Sequence, residues 1–417
     1  LSVALTGAAL CQGDAAADAP AGAEEVPRPD FSLPAAQDTT ILNQVVLSFR
    51  EHFRYDQHPD STLYGTVEQF RALYPDSFWT EKLEKMTNED GTLAWSLSRD
   101  MMGLATMFDA TGDAWYLDWL GRLSKKALAI RDDRTGKTDD AGRSAPAWGS
   151  PRYAEGVRRV YLVHSALIVQ PILEWAKRAP RSPGFGDAEE QERRKAIADC
   201  EETLLWHDYQ LEPKPYDGEA VYLSGREEPE RRFSWQPFNR QNQMARDFYL
   251  LWELTGKEDY RARAEKLYRF FRTRIERTRS DAYIWEYEPI PRAPRVDVSV
   301  CEDVSHASFT VEATLPACRE GFVFEPGDLA RFARTFTRYV YLGDGVFQSG
   351  IGCTALFTPR YMDRLYAWLP LSQADPQVYW LLRRFLMGNV AAPAPQAIAN
   401  LVAYKPKGLS GIDTRAQ

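Results

Sequence analysis

From about residue 40 onward, apolar side chains recur every three to four positions in window after window. Thr40–Phe53, Leu97–Asp109, Trp115–Ile130 and Tyr161–Ala176 read this way, as do Arg193–Trp206, Met244–Leu254, Tyr260–Arg274 and Leu329–Val340. That period matches an α-helix with one buried face. Pro171 is expected to interrupt the fourth window, because a proline inside a helix removes a backbone donor. Alternating runs are scarce; the best strand candidates are Ala220–Leu223 and Ala282–Tyr287. The pattern predicts an all-α protein with irregular loops.

One element repeats. MFDATGDAWYLDWLGRL (Met107–Leu123) and LWELTGKEDYRARAEKL (Leu251–Leu267) both run helix, Thr-Gly, charged residue, new helix with an early aromatic. Gly112 and Gly256 are expected to end one helix in a left-handed cap, and Asp113 and Asp259 to begin the next. RYVYLGDGVF near Arg338 reads as a looser third copy. Repeated helical hairpins build solenoids or closed toroids. The copies lie far apart rather than at a short fixed period, and the loops between them are long, proline-rich and aromatic-rich. The expected fold is therefore an (α/α)6 or (α/α)7 barrel of helical hairpins with long rim loops. One catalytic domain is expected over 40–404, preceded by a leader at 1–39 and followed by a tail at 405–417. Asp132–Arg152 and Ala179–Asp187 read as rim insertions.

Charge and composition narrow the function classes. A net charge of −8 disfavours nucleic acid as a partner, although a cleft in an acidic protein can still be locally positive. No later segment is a continuous apolar run long enough to span a bilayer. The chain opens LSVALTGAALC, then turns acidic, small and proline-containing, which reads as the end of a signal peptide followed by a flexible leader. A secreted or periplasmic location is expected. A lipid anchor at Cys11 is the lesser alternative, since Leu10 is large for the position before it. An apolar N-terminal helix is the plainer one. The five cysteines show no CxxC spacing, so buried thiols or one disulfide are expected rather than a zinc ribbon. Twelve tryptophans are more than a helical scaffold needs; core packing accounts for most, and sugar stacking is the functional alternative.

Four stretches carry candidate chemistry. In WQPFNRQNQMARDF, Pro237 suits a helix start, and Asn239, Asn242, Gln243 and Arg246 fall on one stripe at i, i+3, i+4 and i+7. Amides there would donate to a carboxylate; the plain alternative is an interhelical hydrogen-bond network. In YIWEYEP, alternation puts Trp285 and Tyr287 on one face, as stacking platform and proton carrier, or else as an aromatic wedge. In CEDVSHASFTVEA, Asp303 or Ser305 caps a helix whose first turn holds His306, a candidate base kept neutral by the helix dipole, or simply a capping residue. His164, within the apolar run RRVYLVHSALIVQPI, is either a core histidine or a lumen-facing one. Arg152, Arg292 and Arg295 are loop arginines suited to gripping a carboxylate.

FNRQNQMA, WEYEP and EDVSHASFTVEA, in that order and backed by VHSALIVQPI, resemble the α/α-barrel lyases of polysaccharide lyase family 38, the glucuronan and alginate lyase group. The resemblance spans roughly Trp235–Tyr341. It implies β-elimination on a uronic-acid polysaccharide. Asn239 or Asn242 would neutralise the carboxylate, with Arg240 or Arg292. His306 or His164 would be the base and Tyr287 the acid, unless one tyrosine does both jobs. Trp235, Trp285, Gln243, Arg246 and Arg152 would bind substrate. No cofactor is expected to be required, though Glu302, Asp303 and His306 leave room for a divalent cation. The expected partner is an acidic polysaccharide, and the expected state is monomer or weak dimer. Three rivals remain on the same residues. A glycoside hydrolase would draw its two carboxylic acids from Asp297, Glu302, Asp303 and Glu312. A uronate C5-epimerase would share the proton abstraction, and a sugar-binding or scaffold protein would have no turnover.

Overall fold

The computed structural model describes residues 39–53, 64–225, 234–289, 302–352, 358–362, 364–389 and 393–407. Arg292, Arg295, Asp297, Cys11 and all of the predicted leader except Thr39 lie outside them. The first helices are α1 (Thr39–His52), α2 (Val67–Leu73), α3 (Asp76–Glu84), α4 (Ser98–Thr111), α5 (Ala114–Ala129) and the single turn α6 (Asp132–Thr135). Then come α7 (Leu162–Arg178), α8 (Asp187–Leu205), α9 (Phe238–Thr255), α10 (Glu258–Arg272), α11 (Val304–Glu320) and α12 (Asp328–Thr335). A turn at α13 (Pro359–Met362), a 3-10 helix (Leu365–Gln373), α14 (Pro376–Asn389) and α15 (Pro395–Ala403) complete the set.

Six helices form a closed ring. α4 packs on α7, α7 on α9, α9 on α11, α11 on the 3-10 helix, the 3-10 helix on α15, and α15 back on α4. Outside them, α5 covers α4 and α7, α8 covers α7, α10 covers α9, α12 covers α11, α14 covers the 3-10 helix and α2 covers α15. This is the six-hairpin form of the expected α/α barrel. Among the described residues no helix is long and apolar enough to cross a membrane.

The two rings differ in pattern because they differ in surroundings. Inner helix α7 is buried without a break from Leu162 to Ala176. Outer helix α10 buries only Tyr260, Ala264, Leu267, Tyr268, Phe270 and Phe271, one face of an otherwise charged helix. Each such side chain contributes about 1.5–3 kcal/mol as an upper estimate. Burial on all sides also explains a departure from expectation: α7 runs through Pro171 instead of breaking there. Packing against α4, α5, α8 and α9 offsets the lost backbone bond.

The repeat is two copies, not three. Gly112 (φ +73°) and Gly256 (φ +69°) close α4 and α9 in the left-handed region, where a Cβ would be strained. Asp113 caps α5 by accepting from the Trp115 N–H. Asp259 does not cap α10; it lies inside the first turn, after Lys257. The stretch near Arg338 is instead a hairpin of β5 (Tyr341–Gly343) and β6 (Val346–Phe347), read here after β1 (Leu211–Glu212) with β2 (Val221–Tyr222) and β3 (Glu276–Arg277) with β4 (Tyr283–Ile284). Asp344 and Gly345 both have positive φ, the geometry of a tight hairpin turn. Cys200 and Cys318 are buried free thiols.

Candidate active site

Five of the six inner helices are each followed by an outer one that returns, and the last, α15, is covered by α2 from the start of the chain, so the inner helices run the same way and their N-terminal turns gather at one mouth. Those turns carry His164 on α7, Asn239 and Arg240 on α9, and His306 on α11. Helix starts leave backbone N–H groups unpaired, which makes this mouth locally positive.

The α11 side is built around Asp303. Its Oδ1 accepts from the Ser305 and His306 N–H groups, capping the helix. Its Oδ2 lies 2.5 Å from His306 Nδ1. With Nδ1–H donating to the carboxylate, Nε2 of a neutral His306 carries the lone pair. The imidazole is 30% exposed, enough to meet a substrate. Tyr287 packs beside it at 5.1 Å between rings, and Tyr361 at 6.4 Å. The Tyr287 carbonyl accepts from the Phe238 N–H, which ties this tyrosine to the start of α9 as well. Behind the helix start, Glu302 is fully buried and accepts from Trp285 Nε1 and Thr310 Oγ1. Burial pushes its carboxyl well above the ordinary range, despite those two hydrogen bonds, so it is a neutral acid.

The α7 side is set by Asn88. The Asn88 Oδ1 accepts from the Ala94 N–H, so its Nδ2 faces the Trp148 carbonyl and His164 Nδ1, at 3.0 and 3.3 Å. His164 Nδ1 is thus an acceptor and Nε2 carries the hydrogen. Burial, then the charges of Arg240 and Arg152, push the imidazole down to about 3. His164 is a neutral hydrogen-bond donor, not a strong base. Trp95 stands edge-on to it at 5.8 Å and reaches Phe309 of α11, also at 5.8 Å. Tyr153 packs on its other side at 5.6 Å. Gly91 (φ +77°) passes under these rings. A Cβ there would lie 3.1 Å from Tyr153 Oη and 3.3 Å from Trp95 Cδ1, so glycine lets the turn approach.

Asn239 and Asn242 lie between the two sides on α9, sealed from bulk water. Neither amide atom of Asn242 has a protein partner, nor does Asn239 Oδ1. Buried polar groups are nearly always bonded, so this unused capacity marks the position.

Deeper in the lumen the polar groups are tied to one another. Gln243 Nε2 donates to the Phe309 carbonyl, and Arg246 to Glu174 Oε1 at 2.6 Å and to the Glu312 carbonyl. Arg99 pairs with Glu312, which also accepts from Gln396. Burial alone would raise the Glu174 carboxyl, but Arg178 and Arg246 hold it down at about 2.

Several sequence expectations are corrected by these positions. Trp285 is 0% exposed, wedged between Phe271 and Phe332, and offers no face for a sugar. Trp235 packs on Phe270 of the outer helix α10, away from the lumen. Gln243 and Arg246 join neighbouring helices, because one and two turns below the mouth the helices are close enough to use their hydrogen bonds. Glu312 is engaged in the same network and faces no opposed acid across an open cleft. Tyr287 lies beside His306, the charges of Arg240 and Arg152 act on His164, Asn239 is in the first turn of α9, and Asn242 is one turn further in, beside Gln243. Sequence reasoning missed Asn88 and Tyr153, which come from irregular segments with no local signal, and Trp95, which lies in a short π-helical stretch (Leu93–Leu97) leading into α4. It read Asp303 as a cap, a metal ligand or a hydrolase acid, and not as the partner of His306, although the same i, i+3 spacing brings its carboxylate to the imidazole. Among the described residues no three His, Cys, Asp or Glu side chains gather as a metal site.

No protein-family model matches the chain, and no curated protein matches it by sequence. Among solved structures it is similar to a D-mannose isomerase at 12% identity and TM-score 0.48, covering 83% of this chain and 98% of that one. It is similar to a sugar epimerase from a ruminal bacterium at 10% identity and TM-score 0.49, covering 81% and 98%. A cellobiose 2-epimerase from Spirochaeta thermophila follows at 14% identity and TM-score 0.44, covering 83% and 98%. These are similarities of chain path at low identity.

Proposed function

We propose that the protein is an exported sugar-active enzyme that removes the proton next to a uronate carboxylate, a polysaccharide lyase acting by β-elimination on an alginate- or glucuronan-type chain. The observation that carries this reading is the Asp303–His306 pair beside Tyr287, whose carbonyl is tied to the start of α9, the helix that bears Asn239 and Asn242 with their unused hydrogen bonds. His306 Nε2 takes the C5 proton, and Asp303 stabilises the imidazolium. Charge builds on the carboxylate as the C5–H bond breaks. Asn239 and Asn242 meet it with neutral dipoles in a site closed to water, where fixed donors act most strongly. Arg240 and the His164 Nε2–H add to the positive field. Tyr287 gives its proton to O4 as the C4–O4 bond breaks and C4=C5 forms. The tautomers favour His306 over His164 as the base.

The test is a screen of alginate, glucuronan, hyaluronan, chondroitin and pectate for the ultraviolet-absorbing unsaturated end. Its appearance with one polymer supports the reading; release of only saturated sugars overturns it. A second reading, C5 epimerisation, is favoured by one observation: two histidines, on α7 and α11, approach the mouth from separate helices. It requires His164 to exchange its bond with Asn88 for a proton-carrying role. Deuterium uptake from solvent without chain cleavage would select it.

A further inference from the structure

We propose that Tyr153, Arg152 and Trp95 form a binding subsite for the sugar next to the one that reacts, so that the mouth is built for a chain rather than a single sugar. The proposal rests on the reading of an acidic sugar chain as substrate. Tyr153 is 49% exposed, yet its ring is held from below. Its edges meet Tyr161 and His164, each at 5.6 Å and steeply inclined. The glycine at 91 brings the underlying turn within contact of Tyr153 and Trp95. A tyrosine fixed this way loses little freedom when a sugar face stacks on it.

Charge points the same way. Arg152 is anchored by Nη1 to the Asp90 carbonyl at 2.7 Å, with its guanidinium centre 5.4 Å from the Tyr153 ring. That single anchor leaves its remaining N–H groups for a carboxylate. Its charge reaches His164 together with that of Arg240, so two cations bear on this side of the mouth against the one carboxylate of Asp90, which acts on Tyr153 and Arg152. Trp95 links the wall to Phe309, one turn along α11 from His306, which places the wall alongside the reacting centre.

The test is calorimetric binding of a uronate monosaccharide and tetrasaccharide, in a Tyr287→Phe background that holds turnover. Tyr153→Ala should weaken tetrasaccharide binding 10-fold or more and leave the monosaccharide within 2-fold. Arg152→Gln should do the same and flatten the salt dependence. Tyr153→Leu, which keeps the buried contacts but not the flat face, should behave like Tyr153→Ala at an unchanged melting temperature. Equal weakening of both ligands, or of neither, overturns the subsite. Length-dependent binding that needs Tyr153, with no unsaturated product from the unsubstituted enzyme, would remove the lyase reading and keep the subsite. Cleavage that ignores Tyr153 would do the reverse.

Discussion

The barrel lumen holds two polar regions that answer to different demands. In the middle, Arg99, Glu312, Gln396, Gln243, Arg246 and Glu174 join five helices through hydrogen bonds and ion pairs, with only Arg99 Nε and Nη1 and Gln396 Oε1 left over among them. Nearer the helix starts, Asn239 has one unused oxygen, Asn242 has no partner, and His306 is 30% exposed. Residues of similar type, a turn or two apart on α9, are structural in one place and available in the other. Polarity inside a barrel therefore does not mark a site; unused bonding capacity beside an exposed, oriented titratable group does.

Substitutions can break this comparison. His306→Ala should lower turnover by about 10²–10⁴-fold, the usual range for a general base, with little change in melting temperature. A parallel loss of stability would put His306 in the structural class. Arg246→Met should cost about 1–3 kcal/mol in denaturant unfolding, because it leaves Glu174 Oε1 and the Glu312 carbonyl without their donor while Arg178 still pairs with Glu174 Oε2. Asn242→Leu should do the opposite, raising stability by about 1–3 kcal/mol by removing an unbonded amide while activity falls. If Asn242→Leu destabilises the protein as Arg246→Met does, the distinction between the regions fails.

The smallest effect concerns pH. The Glu302 carboxyl is raised in the folded state, so the folded protein holds a proton that the unfolded chain releases. That stability is fully present below the ordinary glutamate value of 4.5 and declines as pH rises toward the folded value. Glu302→Gln keeps acceptors for Trp285 and Thr310, so it should flatten this decline and raise the melting temperature at pH 8 more than at pH 4. An unchanged slope would mean that Glu302 does not carry the linkage.

Much of the fold was readable as pattern. The windows at Trp115, Arg193 and Tyr260 fall on the outer helices α5, α8 and α10, because a half-buried helix writes its period into the chain. The 3-10 helix, α14 and α15 were not anticipated: Leu365–Ser372 is buried without a break, which erases the alternation that periodicity needs. The candidate site was legible where one helix start carried several polar residues, as at Asn239–Arg246. It was illegible where partners came from afar, as Asn88 and Trp95 do for His164.

By itself the sequence determined most of the helices between Leu97 and Arg274, where Gly112 and Gly256 end two of them, and which residue types could move a proton or meet a carboxylate. Those properties reside in side-chain chemistry and short-range spacing. Tertiary structure alone decided that Trp285 is core, that Arg246 is tied to Glu174, that His164 donates while His306 accepts, and that Tyr153 stands open at the rim. Each of these depends on which neighbour uses a hydrogen bond or covers a face, and those neighbours are brought together only when the ring of helices closes.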